Sequence, residues 1–160
     1  MNPAARRTPL LLAIAGLSLG SVALALWTQH VLGMEPCPWC ILQRLIFVLI
    51  GALALLGLAW RGALGTGLVK LLVLLLAASG VAAALWQHFV AAASESCNRT
   101  LAEKIISGLG LDGSLPEIFQ PRASCADAAV KLLGLPYEFW SLGLFVLLAL
   151  LALGLAHRAR

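Results

Sequence analysis

The 160 residues are 61% hydrophobic and only 11% charged, whereas a water-soluble domain carries about 25% charge and roughly 45–50% apolar residues. A small soluble fold cannot hide that much apolar surface, and disordered chains and coiled coils need far more charge, so all three are excluded. The length suits a single domain, residues 1–160, and the placement of the charges carries more information than their net +4.

Uncharged runs mark the predicted elements. Thr8–Met34 has 27 residues without Lys, Arg, Asp or Glu, Leu45–Trp60 has 16, Leu71–Ser94 has 24 and Phe139–His157 has 19. A helix crosses the hydrocarbon core in about 20 residues, so the second run reaches length only from near Ile41, with Arg44 in its first turn. Leu and Ala dominate, both favour helix, and no period-2 alternation of a barrel is present. The spacing predicts four transmembrane helices, about 10–29, 41–60, 70–89 and 140–157. The fold class is therefore an all-α membrane protein, a four-helix bundle. Arg6-Arg7, an apolar run and Ala23-Leu24-Ala25 also resemble a cleaved signal peptide. The run is longer than the usual apolar core, and cleavage would remove the partner of the second helix, so the span is retained. Trp27, Trp39, Trp60, Trp86 and Trp140 all fall near span ends, where indole prefers the headgroup level.

Orientation follows from the basic residues. One side holds Arg6, Arg7, Arg61, Lys70, Arg158 and Arg160 with no acid. The other holds Arg44, Arg99, Lys104, Arg122 and Lys131 against seven acids. The positive-inside rule puts both termini in the cytoplasm and leaves two outer loops, about 30–40 and 90–139.

All four cysteines, Cys37, Cys40, Cys97 and Cys125, lie in those outer loops, where an oxidising compartment permits disulfides. Four cysteines allow three connectivities, of which 37–40 with 97–125 is the most economical. Cys37-Pro38-Trp39-Cys40 closes too short a loop to stabilise the fold much and suits thiol exchange instead. Cys40 falls at the start of the second span, where free helix amides and Arg44 one turn on favour a thiolate. Zinc is the rival use of four cysteines, but the second pair and the histidines lack knuckle spacing. No metal site is expected. Purely structural disulfides are the other rival, and Arg44 alone would suit a snorkelling interface residue.

Leu26-Trp27-Thr28-Gln29-His30 is echoed by Leu85-Trp86-Gln87-His88, as though two similar helical hairpins stand side by side. That arrangement would bring His88 near Cys40 and Arg44, where a His–Arg pair beside an apolar groove could grip a quinone's carbonyl oxygens. In the second outer loop, Ser124-Cys125-Ala126-Asp127 reads as an N-cap, predicting a short amphipathic helix over Ala126–Leu133 that ends at Gly134 and Pro136. The Gly- and Pro-rich stretch 108–121 predicts mobile backbone around Cys97 and Cys125.

Ala25-Leu26-Trp27, Gln29-His30-Val31, Pro36-Cys37-Pro38-Trp39-Cys40-Ile41 and Arg44 together resemble the disulfide bond formation protein B (DsbB) family of bacterial inner membranes. So do His88, Cys97, Cys125-Ala126, and Leu133-Gly134-Leu135 before Trp140. The resemblance covers nearly the whole chain. It implies a quinone-dependent thiol oxidase whose partner is a periplasmic thioredoxin-fold DsbA-like oxidase. The partner's reactive cysteine would attack a Cys97–Cys125 disulfide at Cys97. Electrons would reach the Cys37–Cys40 pair through a Cys37–Cys125 or Cys37–Cys97 bridge, and Cys40, helped by Arg44, would pass them to ubiquinone or menaquinone. The DsbA couple is an established strong oxidant at about −120 mV, so a membrane quinone is a fitting sink. Two departures from the commonest pattern stand out: Pro38-Trp39 inside the C-x-x-C, and Gln43 where an acid is frequent. A reductive relay like the vitamin K epoxide reductase group is the alternative use of the same wiring.

Overall fold

A computed structural model describes residues 3–60, 62–93 and 100–155, and the side chains of residues 3–6 and 63 are left aside. Cys97 lies outside the described residues, as do Arg61, Glu95, Arg99, Arg158 and Arg160. The elements in order are α1 (Pro3–Leu32), α2 (Pro38–Ala59), α3 (Ala63–Trp86, continuing as a π turn over Gln87–Ala91), α4 (Leu101–Gly108), α5 (Leu111–Ser114), α6 (Pro116–Phe119), β1 (Lys131–Leu132), β2 (Leu135–Pro136) and α7 (Tyr137–Gly154).

Among the described residues, four helices are long and apolar enough to cross a membrane: Arg7–Leu32, Pro38–Ala59, Leu64–Ala91 and Tyr137–Gly154. They pack as a ring in which α1 meets α2, α2 meets α3, α3 meets α7, and α7 returns to α1. Apolar residues recurring mostly at three- and four-residue steps make the seam: Leu11, Ile14, Ala15 and Val22 of α1, and Ile46, Phe47, Ile50 and Ala54 of α2. Val69, Val73 and Ala77 of α3 face Phe145, Leu148 and Ala152 of α7. Phe47 and Phe145 stack at 4.0 Å with planes 3° apart, and Gly80 leaves the space the Phe145 ring fills. Leu12, Leu24, Leu55, Leu56, Leu71, Leu75 and Leu150 point outward, as lipid contact requires of helices whose backbone bonds are satisfied internally. Arg7 donates to the carbonyls of Gly57 and Trp60 and so closes the exposed C-terminal end of α2 against the start of α1. Trp27, Trp60, Trp86 and Trp140 are about half exposed, in keeping with interface anchoring. Trp39 is buried instead, its ring tilted against Trp86 at 6.2 Å.

The second long loop differs from the sequence expectation. The helix in it is α4, started by a Thr100–Glu103 capping box in which each side chain accepts from the other's backbone N–H, at 3.2 and 2.9 Å. The expected helix over Ala126–Leu133 does not form. Ser124 does accept from the Asp127 N–H at 3.1 Å, but the turn stops after one cycle. Leu133 (φ 54) and Gly134 (φ 84) then reverse the chain into a two-residue hairpin pairing Lys131 with Pro136 and Leu132 with Leu135. Positive φ at both central positions is what a tight hairpin demands, and Trp140 Nε1 fixes it by donating to the Leu132 carbonyl at 3.2 Å. The Gly- and Pro-rich stretch carries the short helices α5 and α6. α4 and α6 set Ile106 and Phe119 against Ile41 of α2.

Candidate thiol-exchange site

Three of the cysteines gather where α2 begins. Gly33 (φ 65) turns the chain after α1, and Pro38 opens α2, where its missing N–H costs nothing. Cys37 is the N-cap, its Sγ accepting from the Cys40 N–H at 3.3 Å. The second loop is tied on at the same point, since the Pro36 carbonyl accepts from the N–H of Arg122 at 3.0 Å and of Ala123 at 3.4 Å. That places Cys125 against Cys37. Both are buried, together with Trp39, Ala83, Ala91 and Ala102, so Cys125 is held in a packed cluster and not on the mobile backbone expected of it.

Cys37 is the common member of two sulfur contacts. Its Sγ lies 3.0 Å from Cys40 Sγ, and it also hydrogen-bonds the Cys125 thiol. Those three groups are unbonded thiols here. The hydrogen bonds to Cys125 and to Cys40, with burial added, push the Cys37 thiol well above its ordinary range. Cys125 is pulled down, first by the proton Cys37 shares with it and then by the Trp39 N–H. The free amides of the α2 N-terminus therefore serve all three sulfurs: the Cys37 N–H bonds Cys40, as the sequence reading expects, the Cys40 N–H bonds Cys37, and the Trp39 N–H bonds Cys125.

Cys40 is held by a different group. Gln87 Nε2 donates to Cys40 Sγ at 3.2 Å, and Gln87 Oε1 accepts from Gln43 Nε2 at 2.6 Å. Arg44 does not snorkel. It is 5% exposed, and its Nη1 donates to Gln29 Oε1 at 3.0 Å and to the Ile118 carbonyl of α6 at 2.7 Å. The two echoed segments are thus used alike, because Gln29 holds Arg44 and Gln87 holds Cys40. Their histidines turn to acids: His30 Nε2 lies 3.3 Å from Glu117 Oε2, and His88 Nδ1 lies 2.7 Å from Glu138 Oε1. His30 and then Arg122 hold Glu117 below the usual carboxylate range. The sequence reading singled out His88 and passed over its neighbour Gln87; the repeated Gln-His pair was the signal available.

Cys40, Gln43, Arg44, Gln87 and Glu138 line one end of a cavity of about 540 Å³. The rest of its wall is mostly apolar: Val22, Leu24 and Ala25 of α1, Phe47 of α2, Phe139, Trp140, Leu144 and Leu147 of α7, and Leu132 and Leu133 of the hairpin. Leu24, Trp140 and Leu147 are also among the outward-facing residues, so the cavity meets the lipid-facing surface between α1 and α7. His88 does not line it. It stands behind Glu138, ring-edge against Phe89 and Phe139. Arg44 lines the cavity, and its Nε is buried with no hydrogen-bond partner among the described residues.

Comparison with known proteins identifies the family. The profile of the family described as "Disulfide bond formation protein DsbB" matches residues 6–155. "Disulfide bond formation protein B 1" of Pseudomonas savastanoi pv. phaseolicola is 37% identical over 91% of this chain and 88% of its own length. "Disulfide bond formation protein B" of Aromatoleum aromaticum is 35% identical over 94% and 93%, and that of Pseudomonas syringae pv. tomato is 38% identical over 91% and 86%. With the four apolar helices, these matches make the chain a multi-pass helical membrane protein that belongs to the DsbB family of disulfide bond formation proteins.

Proposed function

We propose that the protein is a thiol oxidase that reoxidises a DsbA-like periplasmic dithiol oxidase and passes the electrons to a membrane quinone. The observation that carries this reading is the position of Cys37, in contact with Cys40 on one side and Cys125 on the other. A sulfur placed so can exchange with either neighbour without a large movement.

The exchanges balance as follows. A thiolate of the reduced partner attacks Cys97 of a Cys97–Cys125 disulfide and releases the Cys125 thiolate. Cys125 attacks Cys37 of a Cys37–Cys40 disulfide, forming a Cys37–Cys125 bridge and releasing Cys40 as thiolate. The partner's second thiolate resolves its mixed disulfide and frees Cys97, which attacks Cys125, restoring Cys97–Cys125 and freeing Cys37. The partner has lost two electrons and two protons, and the electrons rest on the Cys37–Cys40 dithiol.

The cavity suits a quinone ring and its tail. Its wall is mostly apolar, it reaches the lipid-facing surface, and the Arg44 guanidinium at its lining supplies a positive charge toward a carbonyl oxygen. When bound, ubiquinone or menaquinone supplies a two-electron, two-proton sink. Cys40 is the residue from which the electron pair leaves, Arg44 supplies the positive charge, and His88 acts on the cavity through Glu138. Both termini lie in the cytoplasm, and the cysteine end of the bundle faces the periplasm. The charge distribution supports that orientation, with basic residues at the terminal end and seven acids opposite.

Purified protein given a reduced DsbA-like partner is expected to reduce a short-tailed soluble quinone, and Cys40→Ala to abolish the reaction. Normal turnover by Cys40→Ala removes the reading. A membrane-impermeant maleimide applied to intact cells after mild reduction is expected to label Cys97, and exclusive labelling after cell disruption reverses the orientation.

A further inference from the structure

Gln43 and Gln87 are both nearly fully buried, at 3% and 4% exposure, and both line the cavity beside Cys40. A primary amide has one donating and one accepting end. The 2.6 Å bond from Gln43 Nε2 occupies Gln87 Oε1, which leaves Gln87 Nε2 to face the sulfur at 3.2 Å. If Gln43 offered an acceptor in place of its amide, Gln87 would turn over and set its carbonyl oxygen against Cys40. The first arrangement favours a negative sulfur and the second opposes it. Gln87 opens the π turn, whose widened ladder runs from the Ala92 N–H to the Gln87 carbonyl at 2.9 Å. Such turns recur at functional sites.

We propose that Gln43 and Gln87 are positioning residues for Cys40: Gln43 fixes the direction of the Gln87 amide, and that direction presents a donor to the Cys40 sulfur. Neither amide touches the partner's thiols. The pair acts through Cys40 by holding it reactive without adding a further charge to the cavity wall. This deepens the reading of Cys40 as the electron-donating thiolate and rests on it.

The test uses the full-length protein in detergent, fully reduced, without quinone, in a Cys37→Ala background, with iodoacetamide labelling of Cys40 followed by mass spectrometry across pH. Gln87→Met is expected to slow labelling at pH 7 roughly tenfold, the loss of one hydrogen bond to a charged group, and to leave the alkaline plateau rate no lower, since a more basic thiolate is also more nucleophilic. A merely structural loss of access would lower the plateau as well, and that result overturns the proposal. Gln43→Glu is expected to slow labelling more than the uncharged Gln43→Met. In a Gln87→Met background most of that extra slowing should vanish, leaving only through-space repulsion. Equal slowing by Gln43→Glu with and without Gln87 means that charge acts alone, and the proposal falls. Gln87→Leu replaces Gln87→Met if the latter does not fold. No quinone is present, so a protein that fails to reduce quinone can still pass this test, and one that reduces it can fail.

Discussion

Arg44 Nη1 donates to the Ile118 carbonyl at 2.7 Å, so the cation beside the cysteine pair also pins the second loop to the bundle. Gln29 completes the hold: its Oε1 accepts from the same Nη1, and its Nε2 donates to the Glu117 carbonyl at 3.3 Å. One guanidinium therefore couples cavity chemistry to loop placement.

Arg44→Lys tests both roles. Lysine keeps the charge but loses the planar fork, and each buried acceptor left unmet costs about 1–3 kcal/mol. The kcat/KM for a soluble quinone is expected to fall between about tenfold and a hundredfold. Limited proteolysis within residues 101–136 should quicken in parallel. Quinone reduction kinetics and timed digests measure the two effects.

The sulfur cluster predicts an order of titration. Cys125 lies below the ordinary thiol range because Cys37 shares its proton with it, and Cys37 lies well above. As pH rises in the reduced protein, Cys125 becomes thiolate before Cys37. Iodoacetamide labelling of Cys125 should therefore rise at lower pH than that of Cys37. Cys37→Ala removes the shared proton, so the Cys125 profile should move back up toward an ordinary thiol. Site-resolved mass spectrometry across pH reads both profiles.

Glu138 is 6% exposed and bonded to His88 at 2.7 Å. Removing His88 leaves the buried Glu138 without its hydrogen-bond partner, which costs about 1–3 kcal/mol, while replacing both is much less costly. His88→Ala is expected to lower the thermal midpoint clearly. His88→Ala combined with Glu138→Leu should recover most of the loss. Thermal unfolding in detergent closes this double-mutant cycle.

Two glycines separate packing from helix propensity. A Cβ at Gly80 would overlap the Phe145 ring, whereas a Cβ at Gly16 meets nothing within 4 Å. Gly80→Ala is expected to destabilise by about 1–3 kcal/mol through overpacking. Gly16→Ala should stabilise by up to about 1 kcal/mol, as alanine does in an exposed helix. Thermal unfolding of the two variants side by side gives the comparison.

The four spans were legible because crossing a bilayer is a matter of local length and composition, and Leu- and Ala-rich runs carry that information residue by residue. Cys37, Cys40 and Arg44 were legible for a similar reason: a C-x-x-C at a helix start with an arginine one turn on is a local pattern. The hairpin at Leu133-Gly134 was not legible. The Ser124 cap satisfies the same local rule whether one turn or three follow it, and the carbonyl of Leu132 finds its Trp140 partner only once α7 is in place.

The sequence by itself determined a four-span helical membrane protein, since hydropathy and run length need no knowledge of neighbours. Only the tertiary structure decided that Cys37 is the sulfur shared between two partners. It alone showed that Gln29 and Gln87, not the histidines beside them, hold Arg44 and Cys40, and that Leu132 and Leu133 wall the cavity. The physical reason is that a short polar side chain on a helix has no assigned partner until the rotation of each helix against the next fixes which faces meet.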